Sequence, residues 1–234
     1  MGLAIRSTQI RQADFSRAMQ VIERRANAGT RAFHFDFDGV VGLAEEANRK
    51  TVLDTLKEYR LGPRSGINGD FAAVCSGPDP KWVLRTLVPQ LGQQPEKLAE
   101  MVAFMSIKAV ENAGLIEKSP IAGMLPGLKG IGKINTIMTN RGKEAIRAAI
   151  EGMGIRGALD FVFYVSSRIR PKPEQQMFSA GVEWTGVRKQ DAFFIDDNII
   201  CVQAARAFGL PSYHLRWEEL RLPVQNVPNG TQAF

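Results

Sequence analysis

At 234 residues, with 44% hydrophobic and 23% charged positions, the chain has the length and composition of an ordinary globular fold with a real core, which excludes disordered and collagen-like classes. Its two cysteines, Cys75 and Cys201, make no disulfide framework or zinc cluster, no apolar run approaches the ~20 residues that span a bilayer, and the first residues lack a signal-peptide core, so the reading is a soluble, cytoplasmic protein with no membrane partner. The net charge of +6 is not gathered into a basic stripe with interleaved aromatics, which disfavours nucleic acid and leaves small anionic ligands as the natural partners.

In chain order, apolar spacing after Asp14 predicts an amphipathic helix over 14–27, stopped by Gly29. The run Ala32-Phe33-His34-Phe35 predicts a buried strand ending at Asp36. From about 43 to 118 the pattern is helical, over 43–59, 80–91 and 95–113, with no convincing strand between. After Leu125-Pro126-Gly127 the rhythm alternates, with strands at 134–138, 161–165, 192–195 and 212–215 and helices at 143–153, 173–184 and 199–208. Such alternation implies an α/β fold, a Rossmann-like parallel sheet with helices on both faces, and makes the all-helical stretch an insertion after the first strand. The expected division is therefore a core of 1–41 with 125–234 and an inserted helical lobe of 42–124. The tail from Arg216 onward, with Pro223, Pro228 and Asn229-Gly230, offers little periodic structure.

In such a sheet the ligand sits beyond the carboxyl ends of the strands. Four of those ends are polar here: Asp36-Phe37-Asp38-Gly39, Thr139-Asn140, Arg170-Pro171-Lys172-Pro173 and Asp196-Asp197-Asn198. Phosphoryl transfer asks for this set: an in-line nucleophile, charge neutralisation of the equatorial oxygens and an acid for the leaving oxygen. Asp36 offers an anionic oxygen nucleophile at neutral pH, and Asp38 an acid for the leaving alkoxide. Thr139 and Asn140 offer donors to a phosphoryl oxygen, and Lys172 a fixed cation. The adjacent carboxylates Asp196 and Asp197 call for a cation beside them, and Mg²⁺ is the hard, oxygen-liking ion that suits. Taken singly, each motif has a plainer reading, a turn before Gly39, a helix cap at Thr139 or a solvated loop lysine at 172.

The order DFDGVV, IMTN, RPKPE and FFIDDN resembles the four motifs of the haloacid-dehalogenase-like superfamily, in particular its phosphatases with a helical cap inserted after the first motif, and MLPGLKGI resembles that family's return from cap to core. The resemblance spans about residues 32–215. It implies an aspartyl-phosphate on Asp36, acid and base work by Asp38, phosphate contact by Thr139, Asn140 and Lys172, and Mg²⁺ held by Asp36, Asp38, the Phe37 carbonyl, and Asp197 with Asp196 in support. One position departs: Cys201 stands where relatives carry Asp or Asn, a poor partner for Mg²⁺. The expected function is hydrolysis of a small phosphorylated metabolite. Phosphomutase, phosphonate hydrolase and a non-catalytic binding module with a degenerate metal site are the alternatives. The inserted region, with ten basic and ten acidic residues, points to no particular ester.

Overall fold

The computed structural model describes residues 2–62, 71–75 and 79–217. In chain order its elements are α1 (Gly2–Asn27), β1 (Ala32–Phe35), β2 (Gly42–Leu43), α2 (Glu45–Glu58), α3 (Phe71–Cys75), α4 (Pro80–Leu87), α5 (Pro95–Glu111), β3 (Glu117–Lys118), α6 (Pro120–Gly130), β4 (Ile134–Gly142), α7 (Lys143–Gly152), β5 (Phe161–Val165), α8 (Gln175–Thr185), β6 (Ala192–Asp196), α9 (Ile199–Ala207) and β7 (Ser212–His214).

Five strands form one parallel sheet in the order β5-β4-β1-β6-β7, with Phe35 opposite Ile137 on one side and Ile195 on the other. The period-two alternation of strand side chains sorts the sheet's two faces. Phe33, Phe35, Ile137, Phe193 and Ile195 join one core with Phe15 and Ile22 of α1, Ile121 and Leu125 of α6, and Ile146 of α7. Ala32, Met138 and Phe194 join the other with Phe178 of α8 and Cys201 of α9. Both faces are thus covered, as parallel sheets require. Fully buried Phe33, Phe35 and Phe194 contribute about 1.5–3 kcal/mol each, well above what an exposed pair such as Arg147–Glu151 adds.

The inserted helices have a core of their own, built from Val52 and Leu56 of α2, Val83, Leu84 and Leu87 of α4, and Leu98 and Met101 of α5. The chain leaves and re-enters the sheet through the antiparallel pair β2 and β3, where Ser119 N–H donates to the Val41 carbonyl at 3.0 Å.

Four local expectations change. The N-terminal helix begins at Gly2 rather than Asp14. The two short strands β2 and β3 do interrupt the helical stretch, at its margins. The helix of 173–184 starts at Gln175, after the two prolines. A helix, α6, crosses the expected boundary at 124/125 despite carrying Pro126 in its interior. Ser119 caps it, Pro120 sits in its first turn, and Ile121, Ala122, Leu125 and Leu128 bury one stripe on the sheet; that burial outweighs the ~3 kcal/mol an internal proline costs. Residues 218–234 of the tail lie outside the described residues.

Candidate active site

The site forms at the carboxyl end of the central strand, where β1 has β4 on one side and β6 on the other. Asp36 follows β1 directly, and its N–H donates to the Ile195 carbonyl at 2.8 Å, so the neighbouring strand fixes where its side chain starts. The turn beyond it needs Gly39: φ is +75°, and a Cβ there would collide with the carboxylate of Asp197. At the end of β4 the pairing with β5 shifts register between Met138 and Gly142. This irregularity turns Thr139, Asn140 and Arg141 out of ordinary strand alternation, as bulges beside functional sites do.

Lys172 is the electrostatic centre. Its Nζ donates to Asp36 Oδ1 and to Asp196 Oδ2, both at 2.6 Å, and its side chain is 2% exposed. Asn140 clamps it through the backbone: Oδ1 accepts from Lys172 N–H at 2.7 Å and Nδ2 donates to the Lys172 carbonyl at 3.0 Å. The Asn140 oxygen and one of its two N–H donors are thus engaged in placing the lysine. Thr139 is fully buried, and its Oγ1 accepts Arg141 N–H at 3.1 Å, which leaves its hydroxyl proton to donate. Asp196 is also held by Asn198 N–H at 2.7 Å, while the Asn198 side chain caps α9.

Asp36, Asp196 and Asp197 come together, with one ligand oxygen of each within 4.8 Å of the others. Burial pushes Asp36 well above the ordinary carboxylate range; the Lys172 ammonium pulls against this, and Asp196, Asp197 and Asp38 add to the rise. Burial and the neighbouring Asp196 push Asp197 up to about 7, while Lys172 and the Trp217 N–H pull it back. Burial opposes the charge on Lys172, yet Asp196 and Asp36 hold its pKa above the usual lysine value. Three crowded carboxylates against one ammonium leave the cluster short of positive charge. Their oxygens suit a small hard divalent cation, and these three residues would hold one. Trp217 Nε1 donates to Asp197 Oδ2 at 3.0 Å, His214 Nε2 donates to the Asp197 carbonyl at 3.0 Å, and Phe15 of α1 stacks edge-on against Trp217.

Two expectations for the metal shell meet a different arrangement. The Phe37 carbonyl accepts N–H groups from Val41 at 3.0 Å and Gly42 at 2.8 Å, so it is engaged in closing the turn. Asp38 stands outside the trio. Arg141 takes both its oxygens, Nη2 at 2.6 Å to Oδ1 and Nε at 2.8 Å to Oδ2, while Nη2 also donates to Asn48 Oδ1 of α2 at 2.6 Å. Arg141 was not picked out from sequence; a cation immediately after the Thr139-Asn140 pair is the signal that could have found it. Trp217 went unremarked for a similar reason, standing just past the last strand in a segment that reads as tail. Cys201 is buried behind the site among α8, β6 and α9, and burial pushes its thiol up to about 12, so it stays neutral. Arg168 and Arg170 are exposed.

Comparison with known proteins agrees with this architecture. Residues 34–214 match the family model described as haloacid dehalogenase-like hydrolase. An 86-residue stretch is 30% identical to the GMP/IMP nucleotidase YrfG of Escherichia coli K12, covering 37% of this chain and 39% of that protein, so the chain spans well under half the length of this curated relative. Similar solved structures include CbbY from Rhodobacter sphaeroides in complex with phosphate (TM-score 0.65, 18% identity, 78% of this chain and 84% of that one). A predicted phosphoglycolate phosphatase from Haemophilus somnus gives 0.68, at 18% identity over 80% and 85% of the two chains. A subfamily IA hydrolase from Geobacter sulfurreducens gives 0.62, at 21% identity over 80% and 87%. With the family model covering most of the chain and the sheet carrying polar residues at the matching strand ends, this protein belongs to the haloacid dehalogenase-like hydrolases.

Proposed function

We propose that the chain is a magnesium-dependent phosphatase that hydrolyses a small-molecule phosphomonoester through an aspartyl-phosphate on Asp36. The observation that carries this reading is the buried ammonium of Lys172, 2.6 Å from both Asp36 and Asp196, beside an acidic trio short of positive charge. The comparisons support it: CbbY was crystallised with phosphate, and two of the other relatives are named as a predicted phosphatase and a nucleotidase.

In the proposed reaction a carboxylate oxygen of Asp36 attacks phosphorus in line, and the bond from phosphorus to the ester oxygen breaks. Asp38 gives its proton to the departing alkoxide, then takes one from the water that cleaves the aspartyl-phosphate. Lys172 keeps Asp36 oriented and offsets charge on the phosphoryl group, and the Thr139 hydroxyl donates to one of its oxygens. Asp36, Asp196 and Asp197 would hold Mg²⁺, which when bound supplies charge neutralisation for the phosphoryl oxygens. A lobe resting over the strand ends would exclude water and favour a small substrate.

Phosphonate hydrolysis by a Schiff-base lysine is the weaker reading. None of the six lysines between residues 42 and 124 is buried, whereas such an amine depends on desolvation to lose its proton; Lys50 and Lys108 are moreover paired with Asp54 and Glu111. The test is hydrolysis of p-nitrophenyl phosphate with Mg²⁺, with EDTA and with Asp36→Asn. Turnover that needs the metal and is lost in the variant supports the reading. Turnover that survives Asp36→Asn, or no turnover together with no beryllium fluoride adduct at Asp36, sinks it.

A further inference from the structure

Resting on the phosphatase reading and extending it to the class of substrate, we infer that Arg141 is a specificity residue for a second anionic group, a carboxylate or another phosphate, on the leaving-group side of the ester. That group takes over the contacts Asp38 makes with the guanidinium here.

Asp38 has to exchange protons with the leaving oxygen and with water. Arg141 holds its carboxylate by three contacts of 2.6–3.0 Å, from Nε and Nη2. While both oxygens accept from that fork, Asp38 is held as an acceptor and carries no proton to give a leaving oxygen. It has to turn away from Arg141 to work. The Arg141 side chain is only 10% exposed, so water replaces the carboxylate poorly. Without Asp38 the guanidinium would keep the neutral Asn48 oxygen at 2.6 Å and little else to balance its charge. Leaving that cation without its counter-ion at the partly wet rim is unfavourable, though by less than at the buried centre. An anion brought by the substrate removes that penalty and frees Asp38 in the same event.

Geometry assigns the anion to the leaving group. Asp38 is the acid for the ester oxygen, so the guanidinium beside it lies on the leaving-group side. Lys172 belongs to the phosphoryl side and is already shared between Asp36 and Asp196. Among the described residues, Arg141 is the other cation contacting a site carboxylate. Its planar fork suits a carboxylate or phosphate in two-point contact. Asn48 belongs to α2 of the inserted lobe, so the anion would seat at the seam between lobe and sheet.

Binding can be read without turnover in the Asp36→Asn chain with Mg²⁺, by calorimetry with two matched pairs. One is 3-phosphoglycerate against glycerol 3-phosphate; the other is propane-1,3-diol bisphosphate against its monophosphate. We expect the doubly anionic member of at least one pair to bind about 10- to 100-fold more tightly, the range of one or two charge-assisted contacts. Preference in the first pair alone names a carboxylate, and in the second alone a phosphate. Adding Arg141→Met should bring the ratio close to one, and Arg141→Lys, which keeps charge without the fork, should leave an intermediate ratio. A ratio near one with Arg141 present, a ratio that Arg141→Met does not change, equal weakening of both members, or no binding by either doubly anionic probe overturns the inference. Failure of the phosphatase reading shows separately, as absent turnover in the chain with Asp36 intact.

Discussion

Two basic side chains hold carboxylates at the same distance but at different depths of one site. Lys172 meets Asp36 and Asp196 at 2.6 Å with side chains 2%, 11% and 1% exposed, whereas Arg141 meets Asp38 at 2.6 Å with side chains 10% and 36% exposed. Coulomb's law gives both pairs similar bare attraction, but the surroundings set what happens when one partner leaves. At the centre no water can replace a lost charge, so the arrangement is permanent and organises the strand ends. At the rim the carboxylate is partly wet and can move. Depth therefore separates the groups that fix the site from the group that has to shuttle protons.

The largest effect that would test this difference is at the centre. Lys172→Met should cost about 3–5 kcal/mol of stability, because it leaves Asp36 and Asp196 buried without their counter-ion. Urea unfolding measures it, and a loss under 1 kcal/mol would put the two pairs on the same footing.

Next comes a buried ionisable group with no opposite charge paired to it among the described residues. His34, inside β1, shares a 2.6 Å hydrogen bond with Thr136, and burial lowers its pKa from 6.5 to about 3. The unfolded chain thus takes up the proton first. The stability from neutral His34 is complete above pH 6.5 and is lost as pH falls from 6.5 toward 3, amounting to about 2 kcal/mol by pH 5. His34→Gln should flatten that part of the pH profile, and an unchanged profile would show that other groups set it.

Smaller still is the rim. Asp38→Asn should change stability by less than about 1 kcal/mol, since its carboxylate is over a third exposed. The same change should lower phosphatase turnover about 10²- to 10⁴-fold, the usual share of an acid-base group. A destabilisation matching that of Lys172→Met would erase the contrast. Asn48→Ala, which removes one neutral acceptor from Arg141, should cost about 0.5 kcal/mol in the same urea assay, and a loss above 2 kcal/mol would make the seam with α2 part of the permanent centre.

Much of the sheet was legible because β1, β5 and β6 are short, mainly apolar runs that stop at a polar residue, so strand and site were announced by the same few letters, as in Phe35-Asp36 and Ile195-Asp196. The helix α6 was not, because Gly123, Pro126 and Gly127 speak locally against a helix and only the apolar surface waiting beneath it decides otherwise. The turn engagement of the Phe37 carbonyl was hidden for a related reason: it depends on the hydrogen bonds from Val41 and Gly42, which no side-chain pattern encodes. Arg141 acquires its meaning from contacts 103 and 93 residues away along the chain, and from a register shift that periodicity cannot reveal.

The support behind Asp197 has a consequence for what counts as the smallest working unit. Residues 34–214 are those the family model recognises, yet Trp217, which donates its indole N–H to Asp197, and Phe15, which packs edge-on against that indole, both fall outside that span. A chain trimmed to the recognised segment would keep every carboxylate of the trio and lose the brace that aims one of them. Modularity of sequence and modularity of the site do not coincide here, and any transplant of this site into another scaffold has to carry both flanks with it.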